Sequence, residues 1–341
     1  MLYPLSYERL CREMSVVVGP EMPHSQIVIV MPLLRGQGEL MEIKSGQVAV
    51  VTGAASGIGF ALASAFARRG MSVVLADVQQ DALDAAEAAI GDLGGATIAV
   101  RTDVRQAENL VALADATLAR FGAVNVVCNN AGVSGAGDPW SGSLASWEWV
   151  MGVNFWGVVH GVRAFLPHLV MGGGGHIVNT ASIAGLYPGF AAPYDASKHA
   201  VVAITEGLYN TLNSANLGVG VSCLCPGWVR TGILESERNW PAELGEIPQR
   251  DAAADVVSKH VKRAIDEGMT PAAVADLVVE SVENDRFWVF PHQDFLDLAV
   301  SRWERIAERL NPEPPEHTPG MPNRSALLAE VMAAMGMPPP D

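Results

Sequence analysis

The segment Val48-Ala49-Val50-Val51-Thr52-Gly53-Ala54-Ala55-Ser56-Gly57-Ile58-Gly59 runs from a short apolar stretch into a glycine-rich turn, and an apolar helical pattern follows to Ala67. Glycines at such a junction let the backbone turn tightly and approach a pyrophosphate. The free N–H groups and dipole of the following helix attract that anion. The spacing differs from the common G-x-G-x-x-G, but the strand-turn-helix context is the one the chemistry needs. An acidic residue, Asp77, closes the next apolar run about 20 residues on, where it can accept the ribose hydroxyls of a dinucleotide.

The pattern repeats outward from this turn. Apolar runs occur at Val48 to Thr52, Ser72 to Asp77, Thr97 to Arg101, Val124 to Asn129, His176 to Thr180, Gly220 to Leu224 and Phe287 to Phe290. Helical periodicity fills the intervals, and strands alternating with helices build a parallel sheet wound on both faces. Hydrophobicity within the runs is continuous rather than alternating, as expected of strands covered on both sides. The predicted fold is α/β, a Rossmann-like doubly wound parallel sheet of about seven strands. Trp147 to Val170 and Tyr194 to Asn216 are apolar around most of the helix circumference, more than one sheet face can cover. A homo-oligomer, dimer or tetramer, is the expected partner for those helices.

Composition narrows the function. Of 341 residues, 49% are hydrophobic and 17% charged, which excludes wholesale disorder. A net charge of -15 repels phosphate backbones and anionic bilayers, so neither nucleic acid nor membrane is an expected partner. No apolar run reaches 18 residues, and Ile27 to Leu34 is too short, and too broken by Pro32, for a leader. Cys11, Cys128, Cys223 and Cys225 match neither a disulfide framework nor a zinc pattern, so a cytoplasmic location and no metal are expected. Residues 1–41 read as an extension outside the fold and 42–310 as one domain, with the polar stretch 232–268 as a lid over a pocket. Residues 311–341 hold eight of the 21 prolines and read as a tail, either disordered or docked on a partner.

The chemistry-bearing residues fall at the ends of these elements. Asp103-Val104 follows the third run and Asn129-Asn130-Ala131-Gly132 closes the fourth; Asn154 lies within a helix, where Asn is a poor former. Ser182 follows the fifth run, Tyr194 and Lys198 stand one helical turn apart on one face, and Pro226-Gly227-Trp228-Val229-Arg230-Thr231 follows the sixth. In these motifs, their order and their spacing, the chain resembles the classical short-chain dehydrogenase/reductase family from about Ile43 to Phe290, about three quarters of its length.

That resemblance implies Tyr194 as catalytic acid/base, supported by Lys198, Ser182 and Asn154, the last holding a water that connects Lys198 to solvent. It implies a dinucleotide site built from Gly53, Ser56, Gly57, Ile58, Gly59, Asp77, Asp103, Val104, Asn130, Ala131 and Gly132. Pro226, Gly227, Val229 and Thr231, with Tyr194 and Lys198, complete it. Asp103 also reads as a possible helix N-cap, and Asn154 as an asparagine satisfied within its own helix. Bringing a phenol from about 10 to about 7 takes about 4 kcal/mol, which one ammonium about 4 Å away supplies at an effective dielectric of about 20.

NAD is the expected cofactor and NADP the lesser one, because Asp77 repels a 2′-phosphate and Ser56 and Val78 place no base to receive it. Ile183, Leu186, Tyr187, Trp228 and Ile233 would line an apolar pocket, implying a hydrophobic secondary alcohol or its ketone as substrate. The alternatives are an NADP-dependent carbonyl reductase, an extended-branch nucleotide-sugar enzyme, and a non-catalytic dinucleotide-binding scaffold. A Ser182, Asp195 and His199 hydrolase triad is set aside, since no G-x-S-x-G elbow surrounds the serine.

Overall fold

The structure is a computed structural model that describes residues 41–135, 142–189 and 191–338; the expected extension, Met41 apart, lies outside them. β1 (Val48–Thr52), β2 (Ser72–Asp77), β3 (Thr97–Arg101), β4 (Val126–Asn129), β5 (Gly175–Thr180), β6 (Val219–Leu224) and β7 (Trp288–Val289) form one sheet in the order β3-β2-β1-β4-β5-β6-β7. All pairs are parallel. The seven strands match the seven apolar runs within two residues at each end. The chain leaves β1 toward β2 on one side and returns to β4 on the other, so the strand order reverses between β1 and β4. A crevice opens there at the C-terminal strand ends, where such sheets bind ligands.

Each strand feeds two cores. Ala49 and Val51 join Val73, Leu75 and Val178 on one face, under α1 (Gly57–Ala67), α2 (Gln80–Gly91) and α8 (Pro271–Glu283). Val48, Val50, Val74 and Val127 point the other way, to α3 (Ala107–Phe121), α5 (Gly157–Met171) and α6 (Ala192–Ser214). Two-sided burial is therefore why the strands read as unbroken apolar runs.

Two segments depart from the sequence reading. The helix expected from Trp147 to Val170 is divided into α4 (Leu144–Met151), a π-helical turn (Gly152–Trp156) and α5, and the π turn carries Asn154. Such turns recur at functional sites because they re-aim one residue within a helix. Beyond the sheet, α7 (Ala252–Asp266) and α9 (Leu296–Ala307) flank the crevice, and α10 (Arg324–Ala334), from the proline-rich tail, packs along α7 of the same chain. No helix among the described residues is long and apolar enough to cross a membrane.

Met41 is 5% exposed and sits in the core under α1, one residue inside the boundary drawn from the sequence. Met41→Ala is expected to cost about 2–5 kcal/mol in denaturant unfolding, whereas a chain beginning at Met41 should unfold like the full chain.

Candidate active site

The site begins at the end of β1. Thr52 Oγ1 accepts the N–H of Asn130 at 2.9 Å and of Ala131 at 3.0 Å, while Asn130 Nδ2 donates to the Thr52 carbonyl at 3.0 Å. The turn is thus bound to the loop that ends β4. Gly53 has φ +67°, and a Cβ there would lie 2.9 Å from Ala131 Cα. At Gly59 a Cβ would lie 2.0 Å from the Gly53 carbonyl oxygen, so the turn closes only with glycine at these two positions. Ser56 makes no side-chain cap bond to α1. Gly57 and Ile58, in the first turn of α1, where N–H groups have no partner within the helix, border the crevice.

Asp77, at the end of β2, accepts Ala55 N–H and Gln79 N–H, each at 3.1 Å and each on a separate carboxylate oxygen. The carboxylate is thereby fixed at the cleft wall with lone pairs left over for hydroxyls. Asp103 differs from its expected N-cap reading, because Gln106 precedes α3. Its carboxylate instead takes the Arg105 guanidinium, Nη2 at 2.7 Å and Nε at 3.1 Å, and Arg105 Nη1 also reaches Glu243 at 2.9 Å. Val104 is buried behind it.

Ser182, Tyr194 and Lys198 converge beneath this wall. Ser182 caps a short 3-10 turn (Ile183–Gly185), its Oγ accepting Ala184 N–H at 3.2 Å and donating to the Pro226 carbonyl at 3.3 Å. Lys198 is 3% exposed and donates from Nζ to the Thr180 carbonyl at 2.9 Å. Its ammonium lies 5.6 Å from the Tyr194 ring centre. Burial pushes Lys198 down to about 8. Burial also pushes the Tyr194 phenol up to about 12, against a lowering hydrogen bond with Ser182. Burial thus works against the poising by an ammonium that the Tyr194–Lys198 spacing suggests.

Asn154 is fully buried and stands behind the cleft rather than in it. Its Oδ1 accepts Val133 N–H at 2.8 Å, and Nδ2 donates to the Val133 carbonyl and Ser197 Oγ, each at 3.0 Å. Neither a local helix contact nor a free amide fits this pattern; the side chain ties the Gly132 loop to α6. Every other site residue named from the sequence borders one cleft of about 2040 Å³. Of the expected pocket residues, Ile183, Tyr187, Trp228 and Ile233 border it, while Leu186 packs into the cluster around Val201 and Val202.

Sequence reasoning missed three residues. His292 accepts Gly227 N–H on Nδ1 at 3.1 Å and donates from Nε2 to the Trp228 carbonyl at 2.9 Å, so the loop after β6 is clamped by a neutral ring. Burial, the largest influence, lowers its pKa and favours that form. Arg238 reaches Gln79 Oε1 at 3.2 Å from the far side of the cleft. Arg105 alone had a signal, standing two residues from Asp103. His292 and Arg238 act across 65 and 159 residues, beyond any local pattern.

Residues 47–242 match the family described as short chain dehydrogenase. The chain is 37% identical to 1-deoxy-11-beta-hydroxypentalenate dehydrogenase of Streptomyces exfoliatus, over 79% of this chain and 91% of that protein. Identity to 2-(R)-hydroxypropyl-CoM dehydrogenase of Xanthobacter autotrophicus is 35%, over 60% of this chain and 85% of that protein. A crystal structure of a short chain dehydrogenase/reductase from Burkholderia phymatum in complex with NAD superposes with a TM-score of 0.79 at 42% identity, covering 82% of this chain and 100% of that one.

Lys198 generates a stability prediction. Holding its proton in the interior at pH 7 costs about 3 kcal/mol, and losing the Thr180 contact would return about 1. Lys198→Met should therefore stabilise the cofactor-free protein by about 2 kcal/mol in thermal unfolding. The native group releases its proton near 8 and the unfolded one near 10.5. Between those values the unfolded chain binds more protons, so the parent gains stability with rising pH and the gap to the variant narrows.

Proposed function

The chain belongs to the short-chain dehydrogenase family and is an oxidoreductase. On that premise we propose that it interconverts a hydrophobic secondary alcohol and its ketone with NAD. The observation that carries this reading is the meeting of Ser182, Tyr194 and buried Lys198 in the same cleft as the glycine turn. The NAD held by the Burkholderia phymatum relative supports the cofactor assignment.

The residues present fit a dinucleotide. The glycine-rich turn and the start of α1 would hold its pyrophosphate, Asp77 its adenine ribose, and the loops at Asn130–Gly132 and Pro226–Thr231 its nicotinamide half. When bound, the nicotinamide supplies the hydride acceptor and a positive charge near the phenol. Tyr194 takes the hydroxyl proton from the alcohol, and returns it when a ketone is reduced. Ser182 donates to the same oxygen and fixes the reacting carbon. Lys198, whose ammonium lies 5.6 Å from the Tyr194 ring centre, stabilises the phenolate by its charge. Asn154 positions the Gly132 loop and α6 around them.

In this reading residues 232–268 serve as the lid, with Arg238 and Glu243 reaching Gln79 and Arg105 across the cleft. A dimer or tetramer would cover Leu144, 84% exposed on α4, and Trp156, 50% exposed on the π turn. Unpaired buried cysteines suit a cytoplasmic location.

Tyr194→Phe should lower kcat by about 10²- to 10⁴-fold while NAD affinity, read by fluorescence titration, stays within about twofold. Turnover close to the parent would remove Tyr194 from the reaction. NAD should exceed NADP by about 10- to 1,000-fold in kcat/KM, since a carboxylate beside a 2′-phosphate costs a few kcal/mol after screening. Asp77→Ala should erode that preference by improving NADP, with Arg238 nearby to receive the phosphate.

A further inference from the structure

The cleft of about 2040 Å³ takes in the expected dinucleotide site and, beyond it, continues past the Tyr194 region to a wall made of the chain's own C-terminal segment. Pro312, Pro314, Met321, Pro322 and Leu327 all border it.

Several contacts hold this segment. Trp228 Nε1 donates to the Pro319 carbonyl at 2.7 Å, from the loop that also carries Gly227 and Val229. Gly320, at φ +76°, lies so close that a Cβ would stand 2.9 Å from the Trp228 ring. Arg305 on α9 donates to the Asn311 carbonyl at 2.8 Å and pairs with Glu313 at 2.9 Å. At the far end His260 of α7 meets Glu330 of α10 at 2.8 Å.

The composition of the wall suits an apolar ligand. Proline has no N–H, so a substrate that excludes water from these rings strands no backbone donor, and their fixed φ limits the entropy lost on binding. Of the two acidic side chains among them, Glu313 is tied to Arg305 and Glu316 accepts from the Ser325 hydroxyl at 3.4 Å.

We propose that residues 312–327 form the specificity-determining outer wall of the substrate cleft, positioned by the Trp228–Pro319 bond and selecting alcohols and ketones whose apolar body extends well beyond the reacting carbon. The proposal rests on the redox reading of this cleft. Its substrate class is polycyclic or long-chain rather than small.

The test compares the full chain with Gly320→Ala and with a chain ending at Asn311. Binding of trans-decalone and of cyclohexanone is followed by tryptophan fluorescence with NAD bound, where no hydride is available, and reduction is followed separately by NADH absorbance. In both variants decalone affinity should fall at least about tenfold, while cyclohexanone and NADH binding stay within about twofold. Should the truncated chain not fold, Gly320→Ala decides alone. Decalone affinity unchanged within about twofold, or an equal loss for both ketones, would overturn the wall. Failure of the full chain to reduce either ketone would instead count against the redox reading, because binding is measured without turnover.

Discussion

The hydroxyl of Thr52 joins the two central strands at the point where the strand order reverses. By accepting two N–H groups from the loop after β4 and donating to the Cys128 carbonyl, it holds the glycine turn and the Asn130 loop as one body. Both strand ends approach so closely that side chains at Gly53 and Gly59 would collide with backbone. The crevice depends on that approach. Its floor is backbone, the start of α1 borders it, and the remaining groups are arranged around a fixed frame.

Burial acts hardest on the groups at the base of the cleft. Lys198 is enclosed by strand ends and held by a single backbone carbonyl, and the phenol beside it is desolvated in turn. Two buried titratable groups pushed toward their neutral forms make a site whose proton balance responds strongly to any added positive charge. The π turn answers a related need. A regular helix would not aim Asn154 at Val133 and Ser197 together, and through those contacts the loop beneath the cleft shares the rigidity of α6.

Above this floor the cleft is closed by long-range polar ties. Arg105 links Asp103 to Glu243, Arg238 reaches Gln79, and Trp228 links the loop after β6 to the C-terminal segment. His292 holds that same loop from below. The strand-end loops, the stretch that carries Arg238 and Glu243, and the C-terminal segment are thus one connected surface rather than separate parts.

Short-range regularities carried most of the fold in the sequence. Continuous apolar runs, helical spacing between them, the turn at Gly53 to Gly59, and the Tyr194 to Lys198 interval are each set by residues within a turn or two of one another, and all reappear with small boundary shifts. The sequence by itself also determined which polar residues gather at the strand ends, because parallel strands must all end on the same side. What it left open was every contact between distant segments: the tie from Asp103 through Arg105 to Glu243, the burial of Asn154 behind the cleft, the His292 clamp, and the packing of Arg324–Ala334 along α7. Those depend on crossing angles and loop paths that follow from packing the whole sheet. Desolvation is the clearest case, since Tyr194 and Lys198 have the same spacing in any helix, and only enclosure by the tertiary structure sets where they titrate.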